Sequence, residues 1–153
     1  MDSERGPQPG AGRSEGTGSQ SKLSLEIPSD LSRIEEVVEL VSEQCVEMGL
    51  GVHAAKFNLR VALSEALANA MLYGNKMDVN KSVSITAEAT DGIISVRVVD
   101  EGLGFDPDTV PDPTTPDRIK RPDGRGLFLI RNLVDEVTFS ERGNAICMVL
   151  RQS

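Results

Sequence analysis

The feature that most constrains the fold of this chain is a pair of alternating apolar segments joined by a tight turn. In the first segment the apolar positions are Val83, Ile85, Ala87 and Ala89. The second segment is Ile93–Val99, and the Asp91-Gly92 pair between them is typical of a β-hairpin turn. One face of the second strand carries Ile94, Val96 and Val98. Asp100 falls on that same side, so the sequence predicts that it points toward the layer that packs on this face.

Periodicity elsewhere in the chain adds helices and further strands. Leu23–Ile27 alternates as a strand that Pro28 ends, and Ser29 or Asp30 then caps a helix whose apolar residues recur at the 3.6-residue period. The later elements are a helix at about 54–74, the hairpin, a helix over Gly126–Val134, and a closing hairpin of strands Val137–Ser140 and Ala145–Leu150. Hairpin-joined strands indicate a mostly antiparallel sheet with about three helices on one face. The predicted class is α+β rather than a doubly wound parallel fold.

Two segments lack such patterns and set the expected domain limits. At 153 residues the chain is long enough for one domain with a sizeable core and too short for two ordinary ones. Residues 1–21 are mostly Gly, Ser, Pro and charged or amide residues, so we expect a disordered tail there and a folded domain over 22–151. Residues 105–123 are rich in proline and have no apolar period. A loop of that length is expected to be a functional lid or a disordered segment.

Composition argues against several classes of function. The formal net charge of -8 argues against nucleic acid as the main partner, because phosphate binding needs clustered Lys and Arg. No apolar run approaches the ~20 residues of a membrane span and no signal peptide is apparent, so a cytoplasmic protein without membrane contact is expected. Cys45 and Cys147 sit among apolar residues and are expected to be reduced core thiols. His53 stands alone, which favours a structural or surface role over metal binding.

Glu65 and Asn69 are the first candidate site residues. They lie four residues apart in the second predicted helix, so both side chains emerge on the same helix face. The main core stripe of this helix consists of Leu59, Leu63, Ala66, Leu67 and Ala70. The polar pair lies roughly opposite that stripe, yet its flanking residues are the apolar Val61, Ala62 and Leu72. An ionised carboxylate in such surroundings needs a partner, so the pair is interpreted as part of a site.

Two glycine-containing segments are candidates for contact with a ligand. Asp100–Phe105 follows a strand, and Gly124–Leu127 opens a helix whose free N–H groups favour phosphate. An ordinary turn in the first segment and a tight helix start in the second are the structural alternatives. The spacing matches neither the P-loop nor the dinucleotide-binding fingerprint, and His53 has no G-x-S-x-G companion that would indicate a serine hydrolase.

Taken in order, these motifs resemble the GHKL ATPase superfamily, which includes gyrase, Hsp90, histidine kinases and MutL. The matching features are Glu65-x-x-x-Asn69 on a helix, Asp100-x-Gly102-x-Gly104-Phe105 after a strand, a long lid, and Gly124-x-Gly126-Leu127 opening a helix. Within that superfamily, the short length and the run Gly124–Ile130 resemble the anti-sigma regulatory factor serine/threonine kinases of the RsbW and SpoIIAB type. The resemblance covers about residues 22–151. It implies a two-layer α/β sandwich of the Bergerat type with a long ATP lid.

The resemblance also implies a role for each motif residue. Asn69 would hold Mg²⁺ through its side-chain oxygen. Asp100 would accept a hydrogen bond from the adenine amino group. Glu65 would act as the general base toward a serine hydroxyl, or would orient that nucleophile. Close approach to the base is assigned to Gly104, and wrapping of the phosphates to Gly124 and Gly126. The other expected nucleotide-binding residues are Gly102, Phe105, Arg125 and Leu127.

The function implied is an anti-sigma factor kinase that uses ATP and Mg²⁺ to phosphorylate a serine of a STAS-type anti-anti-sigma factor. It would also bind a sigma factor, as a homodimer, in a partner-switching circuit that regulates transcription. One alternative is a nucleotide-gated binding module without kinase activity. Another is a detached histidine-kinase catalytic domain, which is disfavoured because no phosphoacceptor histidine lies on a dimerisation helix. The roles of four residues stay open. Arg118, Lys120 and Arg121 either contact phosphate or are solvated charges, and Tyr73 packs beside the nucleotide or has no assigned role.

Overall fold

The computed structural model describes residues 21–102 and 125–152, which form a five-stranded sheet covered by helices. The strands are β1 (Ser21–Pro28), β2 (Ser82–Thr90), β3 (Ile93–Val99), β4 (Glu136–Phe139) and β5 (Ala145–Arg151). The α-helices are α1 (Ile34–Glu47), α2 (Arg60–Asn69) and α3 (Arg125–Leu133). The strand order is β1-β2-β3-β5-β4, and every pairing is antiparallel. The predicted α+β class is confirmed. The predicted tail lies outside the described residues except for Ser21, with which β1 begins.

The central hairpin forms as the alternation predicts. The register pairs Ser84 with Val99 and Thr90 with Ile93, and the turn residues Asp91 and Gly92 have φ angles of 50° and 84°. Two successive residues with positive φ are the requirement of a type I′ turn, which matches the twist of the flanking strands. The buried face of the hairpin consists of Val83, Ile85, Ala87, Ala89, Ile94, Val96 and Val98. This face packs against the helices and forms the middle of the core.

The Asp30 cap predicted for the first helix acts on a 3-10 turn before α1, and α1 itself begins without a side-chain cap. The Asp30 carboxylate accepts a hydrogen bond from the Ser32 N–H at 3.0 Å, at the start of a 3-10 turn over Leu31–Arg33 that leads into α1. After α1, Gly49 adopts a φ of 110°, where a side chain would be strained. The helix therefore lies between β1 and a glycine stop, with its buried face on β2.

Helix α2 is continued at both ends by π-helical turns, Ala54–Leu59 and Ala70–Gly74. At the second turn the Asn75 N–H donates to the Ala70 carbonyl at 2.8 Å, a span of five residues instead of four. The helical segment therefore matches the predicted 54–74. Arg60, the first residue of α2, bonds to Glu39 of α1 and lowers the pKa of that carboxyl. This ion pair joins α1 and α2 on their solvent side.

The C-terminal elements differ from the predicted bounds by one residue. Helix α3 starts at Arg125 rather than Gly126 and ends at Leu133, and β4 is Glu136–Phe139. Cys147 is only half-buried, because its position in β5 faces away from the helices and opposite Arg97 and Thr138. Cys45 and Cys147 are both free thiols, and the predicted core position holds for Cys45 alone.

Candidate functional site

The helix that carries Glu65 and Asn69 has the arrangement that its sequence predicts. The core stripe Leu59, Leu63, Ala66, Leu67 and Ala70 is buried against the sheet and the other helices. Glu65 and Asn69 are both half-buried on α2, one turn apart, and Val61 beside them is half-buried as well. Two hydrogen-bonding side chains on a largely apolar helix surface form a polar site with limited access to water.

Hydrogen bonds to both its backbone and its carboxylate hold Asp100 at the end of β3. Its backbone N–H donates to the Asn144 carbonyl at 2.9 Å, and the Asn144 side-chain amide donates to the Asp100 carbonyl at 3.1 Å. Its carboxylate accepts a hydrogen bond from the Gly102 N–H at 2.8 Å. The strand end is therefore fixed by the turn before β5, and one carboxylate oxygen is engaged by the loop that follows. The prediction that Asp100 continues the helix-facing side of β3 agrees with the burial of Val98 and with its contact to the α2 segment.

That contact joins the two motifs at a pair of glycines. A Cβ on Gly74 would lie 2.3 Å from Oδ2 of Asp100, and a Cβ on Gly102 would lie 2.0 Å from the Gly74 carbonyl oxygen. A side chain at Gly74 would have to push the Asp100 carboxylate aside, and one at Gly102 would meet backbone that cannot easily move. Gly74 ends the π-helical turn that begins directly after Asn69. The strand end with Asp100 therefore abuts the end of the helix that bears Glu65 and Asn69.

Asn75 is the site-adjacent residue that sequence reasoning missed. Its side chain is 1% exposed and donates to the Ser29 hydroxyl at 2.9 Å and to the Ser82 carbonyl at 3.0 Å. Its side-chain oxygen accepts a hydrogen bond from the Glu101 N–H at 2.8 Å. The only sequence signal was an Asn directly after the glycine that ends a helix, which is also an ordinary sequence for a helix end.

The remaining predicted site residues divide between the described and the undescribed parts of the chain. Gly126 is buried and Leu127 half-buried in the first turn of α3, which packs against α2. Tyr73 is half-buried in the π-helical turn before Gly74. Outside the described residues lie Gly104, Phe105, Gly124, Arg118, Lys120, Arg121 and the side chain of Arg125. Glu65, Asn69, Asp100 and Gly102 thus lie on adjoining elements, and their roles toward a ligand stay predictions.

The residues considered for other chemistry have the following surroundings in the part of the chain that the structure describes. In residues 21–102 and 125–152, no three His, Cys, Asp or Glu side chains come together as a metal-binding group. His53 is exposed and stacks on Phe57, with the ring centroids 5.2 Å apart. Burial raises the pKa of the Cys45 thiol to about 12, which makes it a poor nucleophile at neutral pH. None of the helices in the described ranges is long and apolar enough to cross a membrane.

Comparison with known proteins places this chain in a known family. A family profile described as "Histidine kinase-like ATPase domain" matches residues 27–150, which include every motif discussed above. The chain belongs to this family. The resemblance to the GHKL superfamily is therefore confirmed, and ATP is the ligand that an ATPase domain implies.

Two kinds of curated relative are similar to this ATPase-domain chain. An anti-sigma F factor of Geobacillus stearothermophilus is 34% identical over 89 residues, which are 56% of this chain and 60% of the relative. The serine-protein kinase RsbW of Bacillus subtilis is 38% identical over 87 residues, 52% of this chain and 54% of the relative. The chain thus spans little more than half the length of these relatives. A serine-protein kinase RsbW of Listeria innocua is 25% identical over 134 residues, 83% of this chain and 85% of the relative.

A solved structure shares the fold. It contains the RsbU and RsbW domains of a Mycobacterium tuberculosis protein, and it superposes with a TM-score of 0.58 over 86% of this chain and 32% of that one. Sequence identity is 18%, so this likeness concerns the fold. It agrees with the two-layer arrangement of helices on an antiparallel sheet.

Proposed function

We propose that this chain is an ATP-dependent protein serine/threonine kinase of the anti-sigma type. Its substrate would be a serine of a STAS-type anti-anti-sigma factor, and its other partner a sigma factor. The observation that carries the proposal is the contact between Asp100 and the end of the helix bearing Glu65 and Asn69. It joins a candidate base-recognising carboxylate and a candidate catalytic pair on adjoining elements. The relatives named anti-sigma F factor and serine-protein kinase support the choice of reaction.

In this proposal Asp100 recognises the adenine ring. An aspartate carboxylate accepts hydrogen bonds, so it favours the amino group of adenine over the carbonyl that guanine presents at the same position. Its hydrogen bond from Gly102 and its backbone bonds to Asn144 hold it in one orientation before ATP arrives. A pre-oriented acceptor loses less entropy on binding, which favours affinity and selectivity together.

Asn69 and Glu65 would act on the phosphate side of the nucleotide. The Asn69 amide oxygen is a hard ligand of the kind that Mg²⁺ takes in proteins, and it is half-buried on a rigid helix. The Mg²⁺ would neutralise charge on the triphosphate. Glu65, one turn before Asn69, would accept the proton of the substrate serine as its hydroxyl oxygen attacks the γ-phosphorus and ADP leaves. Gly126 at the start of α3 would leave N–H groups available to phosphate.

Transfer of labelled γ-phosphate tests the kinase proposal. Purified chain is incubated with labelled ATP, Mg²⁺ and a recombinant STAS-domain protein from the same genome, and the product is mapped by mass spectrometry. We expect phosphoserine on the STAS protein, loss of transfer when EDTA removes Mg²⁺, and no transfer by Asn69→Ala. ATP binding without transfer to any STAS protein of that genome would contradict the kinase assignment.

That last outcome would favour a nucleotide-gated binding module instead. Such a module would hold a sigma factor or an antagonist in an ATP-dependent way and would have no use for a base. The half-buried Glu65 on the same helix face as Asn69 favours the enzyme. Capture of partners with and without ATP separates the two, because the binder releases its partner unmodified. We also infer a homodimer from the likeness to anti-sigma kinases, and light scattering of the purified chain measures it.

A further inference from the structure

We propose that Asn75 is a positioning residue that holds Asp100 in its base-recognising orientation and thereby sets selectivity for adenine. The inference rests on the proposed ATP site and names a residue that none of the motifs contains. Asn75 acts through the backbone of Glu101, the residue between Asp100 and Gly102.

The position of Asn75 relative to the helix is fixed by its backbone. Its N–H closes the last π-helical turn on the Ala70 carbonyl at 2.8 Å, and the N–H of Met77 bonds to the Met71 carbonyl at 2.7 Å. Lys76 and Met77, which follow, both have positive φ angles, so the chain turns sharply away at this point. The Asn75 side chain is therefore an extension of the rigid helix that carries Asn69.

The Asn75 side chain uses its hydrogen-bonding groups on three separate segments. The amide nitrogen donates to Ser29, after β1, and to Ser82, which begins β2, while the oxygen accepts from Glu101 N–H, after β3. Ser29 passes the contact on through a 3.0 Å bond to the Lys81 carbonyl. A side chain that is 1% exposed cannot exchange these partners for water without disrupting its surroundings. The nitrogen thus bonds to the ends of β1 and β2, and the oxygen bonds to the loop next to Asp100.

The oxygen side of Asn75 bears on the site. Glu101 lies between two residues that both contact Gly74. Oδ2 of Asp100 lies against Gly74, and Gly102 lies against the Gly74 carbonyl. The Gly102 N–H also donates to Oδ1 of Asp100. The bond from the Glu101 N–H to Asn75 ties this loop to the helix end, and its loss would release the Glu101 backbone. The carboxylate would then sample several orientations instead of one, and it would discriminate less between an amino group and a carbonyl.

Two buried serines, one in this network and one outside it, supply matched controls. Ser29→Ala removes a partner of the amide nitrogen and leaves the bond from Glu101 N–H intact. Ser42→Ala removes a fully buried hydroxyl that donates to the Ala55 carbonyl at 2.8 Å, between α1 and the α2 segment and away from Asp100. Both variants should lower thermal stability, and neither touches the loop at Asp100. Asp100→Asn gives the reference for complete loss of adenine selectivity.

The experiment measures the ratio of ATP to GTP affinity by calorimetry at 10 °C for the wild type, Asn75→Ala, Asn75→Ser and the controls. Circular dichroism verifies that each variant is folded. If Asn75→Ala does not fold, Asn75→Ser replaces it, because its smaller polar side chain keeps a hydroxyl group at this position. We expect the ratio of ATP to GTP affinity to fall about tenfold in the Asn75 variants. This is most of the contribution of one charge-assisted hydrogen bond, here the one between the Asp100 carboxylate and the adenine amino group. The ratio should stay within about twofold in Ser29→Ala and Ser42→Ala, because destabilisation alone lowers the folded fraction for both nucleotides equally.

The outcomes separate this inference from the proposed function. A folded Asn75 variant that keeps the wild-type ratio overturns the positioning role, while ATP binding itself stands. An equal fall of the ratio in Ser29→Ala overturns it too, because the effect would then come from the ends of β1 and β2. A wild type that binds neither nucleotide removes the proposed ATP site and with it this inference.

Discussion

Oδ2 of Asp100 lies so close to Gly74 that a single added methyl group would stand 2.3 Å from it. The carboxylate belongs to the end of a β-strand and the glycine to the end of a π-helical turn, 26 positions earlier in the sequence. The two candidate motifs are thus in direct contact because glycine has no side chain to separate them. Gly74 has no positive φ, so space rather than backbone conformation requires glycine here.

The first prediction concerns Gly74→Ala. The new Cβ must displace the Asp100 carboxylate, since the helix end beneath Gly74 is fixed by hydrogen bonds. We expect ATP affinity to fall at least about tenfold and the free energy of unfolding to fall by about 1–3 kcal/mol, as for other overpacked sites. Calorimetric titration with ATP and denaturant unfolding measure the two effects.

Gly92→Ala is the control for this substitution. Gly92 lies in the turn at the other end of β3, where a Cβ would meet nothing within 4 Å but would strain a φ of 84°. It should cost stability and leave the ATP affinity unchanged. Equal ATP affinities for Gly74→Ala and the wild type would show that Asp100 tolerates displacement or does not bind the base.

The second prediction concerns Glu65→Gln. The amide keeps the size of the side chain but cannot take a proton from a serine hydroxyl. Phosphoryl transfer to the STAS substrate should fall by about 10²–10⁴, the usual contribution of a general base, while ATP affinity changes little. Single-turnover transfer with saturating ATP measures the chemical step.

Ser64→Ala provides the comparison on the same helix. The Ser64 hydroxyl donates to the Arg60 carbonyl at 2.7 Å within α2, so its loss removes a local bond beside Glu65 without touching the proposed base. Transfer by Ser64→Ala should match the wild type. Abundant transfer by Glu65→Gln would leave Glu65 at most an orienting role.

Much of this fold was predictable because its apolar pattern is local. The Asp91-Gly92 turn and the alternation around it predict the central hairpin, and the burial of Ile94, Val96 and Val98 confirms which face it presents. The core stripe of α2 followed from the 3.6-residue period for the same reason. Both signals depend only on residues that are close together in the sequence, so a consistent local pattern is enough to predict them.

The parts that were not predictable depend on contacts between distant positions. Asn75 bonds to Ser29 and Glu101, which are 46 and 26 residues away, and no local pattern distinguishes it from an ordinary helix-ending Asn. The π-helical turn over Ala70–Gly74 likewise depends on a five-residue hydrogen bond that a 3.6-residue period does not anticipate. The half-burial of Cys147 required the register of β5 against β3, which the isolated strand does not fix.

The third prediction concerns the core beneath the candidate site. Leu63 is fully buried on α2, one helical turn from both Leu59 and Leu67. Truncation of its side chain leaves a cavity between the helices and the sheet. Leu63→Ala should lower the free energy of unfolding by about 2–5 kcal/mol. Leu72→Ala, whose side chain is 36% exposed on the same helical segment, should cost less than half as much. Similar losses in urea titrations of the two variants would contradict the assignment of the buried stripe.

The fourth prediction concerns alkaline pH and Cys45. Burial raises the pKa of this thiol to about 12, whereas in the unfolded chain it titrates near its ordinary value of about 8.5. Because the folded pKa is raised, the unfolded state loses its proton first, and each further pH unit favours unfolding. The contribution of Cys45 is thus fully present below pH ~8.5 and is lost progressively up to pH ~12, with a slope approaching about 1.4 kcal/mol per unit.

Comparison with Cys45→Ala isolates this slope. The variant leaves a small cavity, so its unfolding free energy should be lower at pH 7, yet it should decline less steeply between pH 9 and 11 because the titrating thiol is gone. Cys147, whose pKa is raised by partial burial, stays in both proteins and cancels from the difference. Parallel curves of unfolding free energy against pH would mean that Cys45 ionises as readily in the folded chain as in the unfolded one. In the wild type, a disulfide reagent at pH 8 should modify Cys147 much faster than Cys45, because the buried Cys45 reacts only when the core opens.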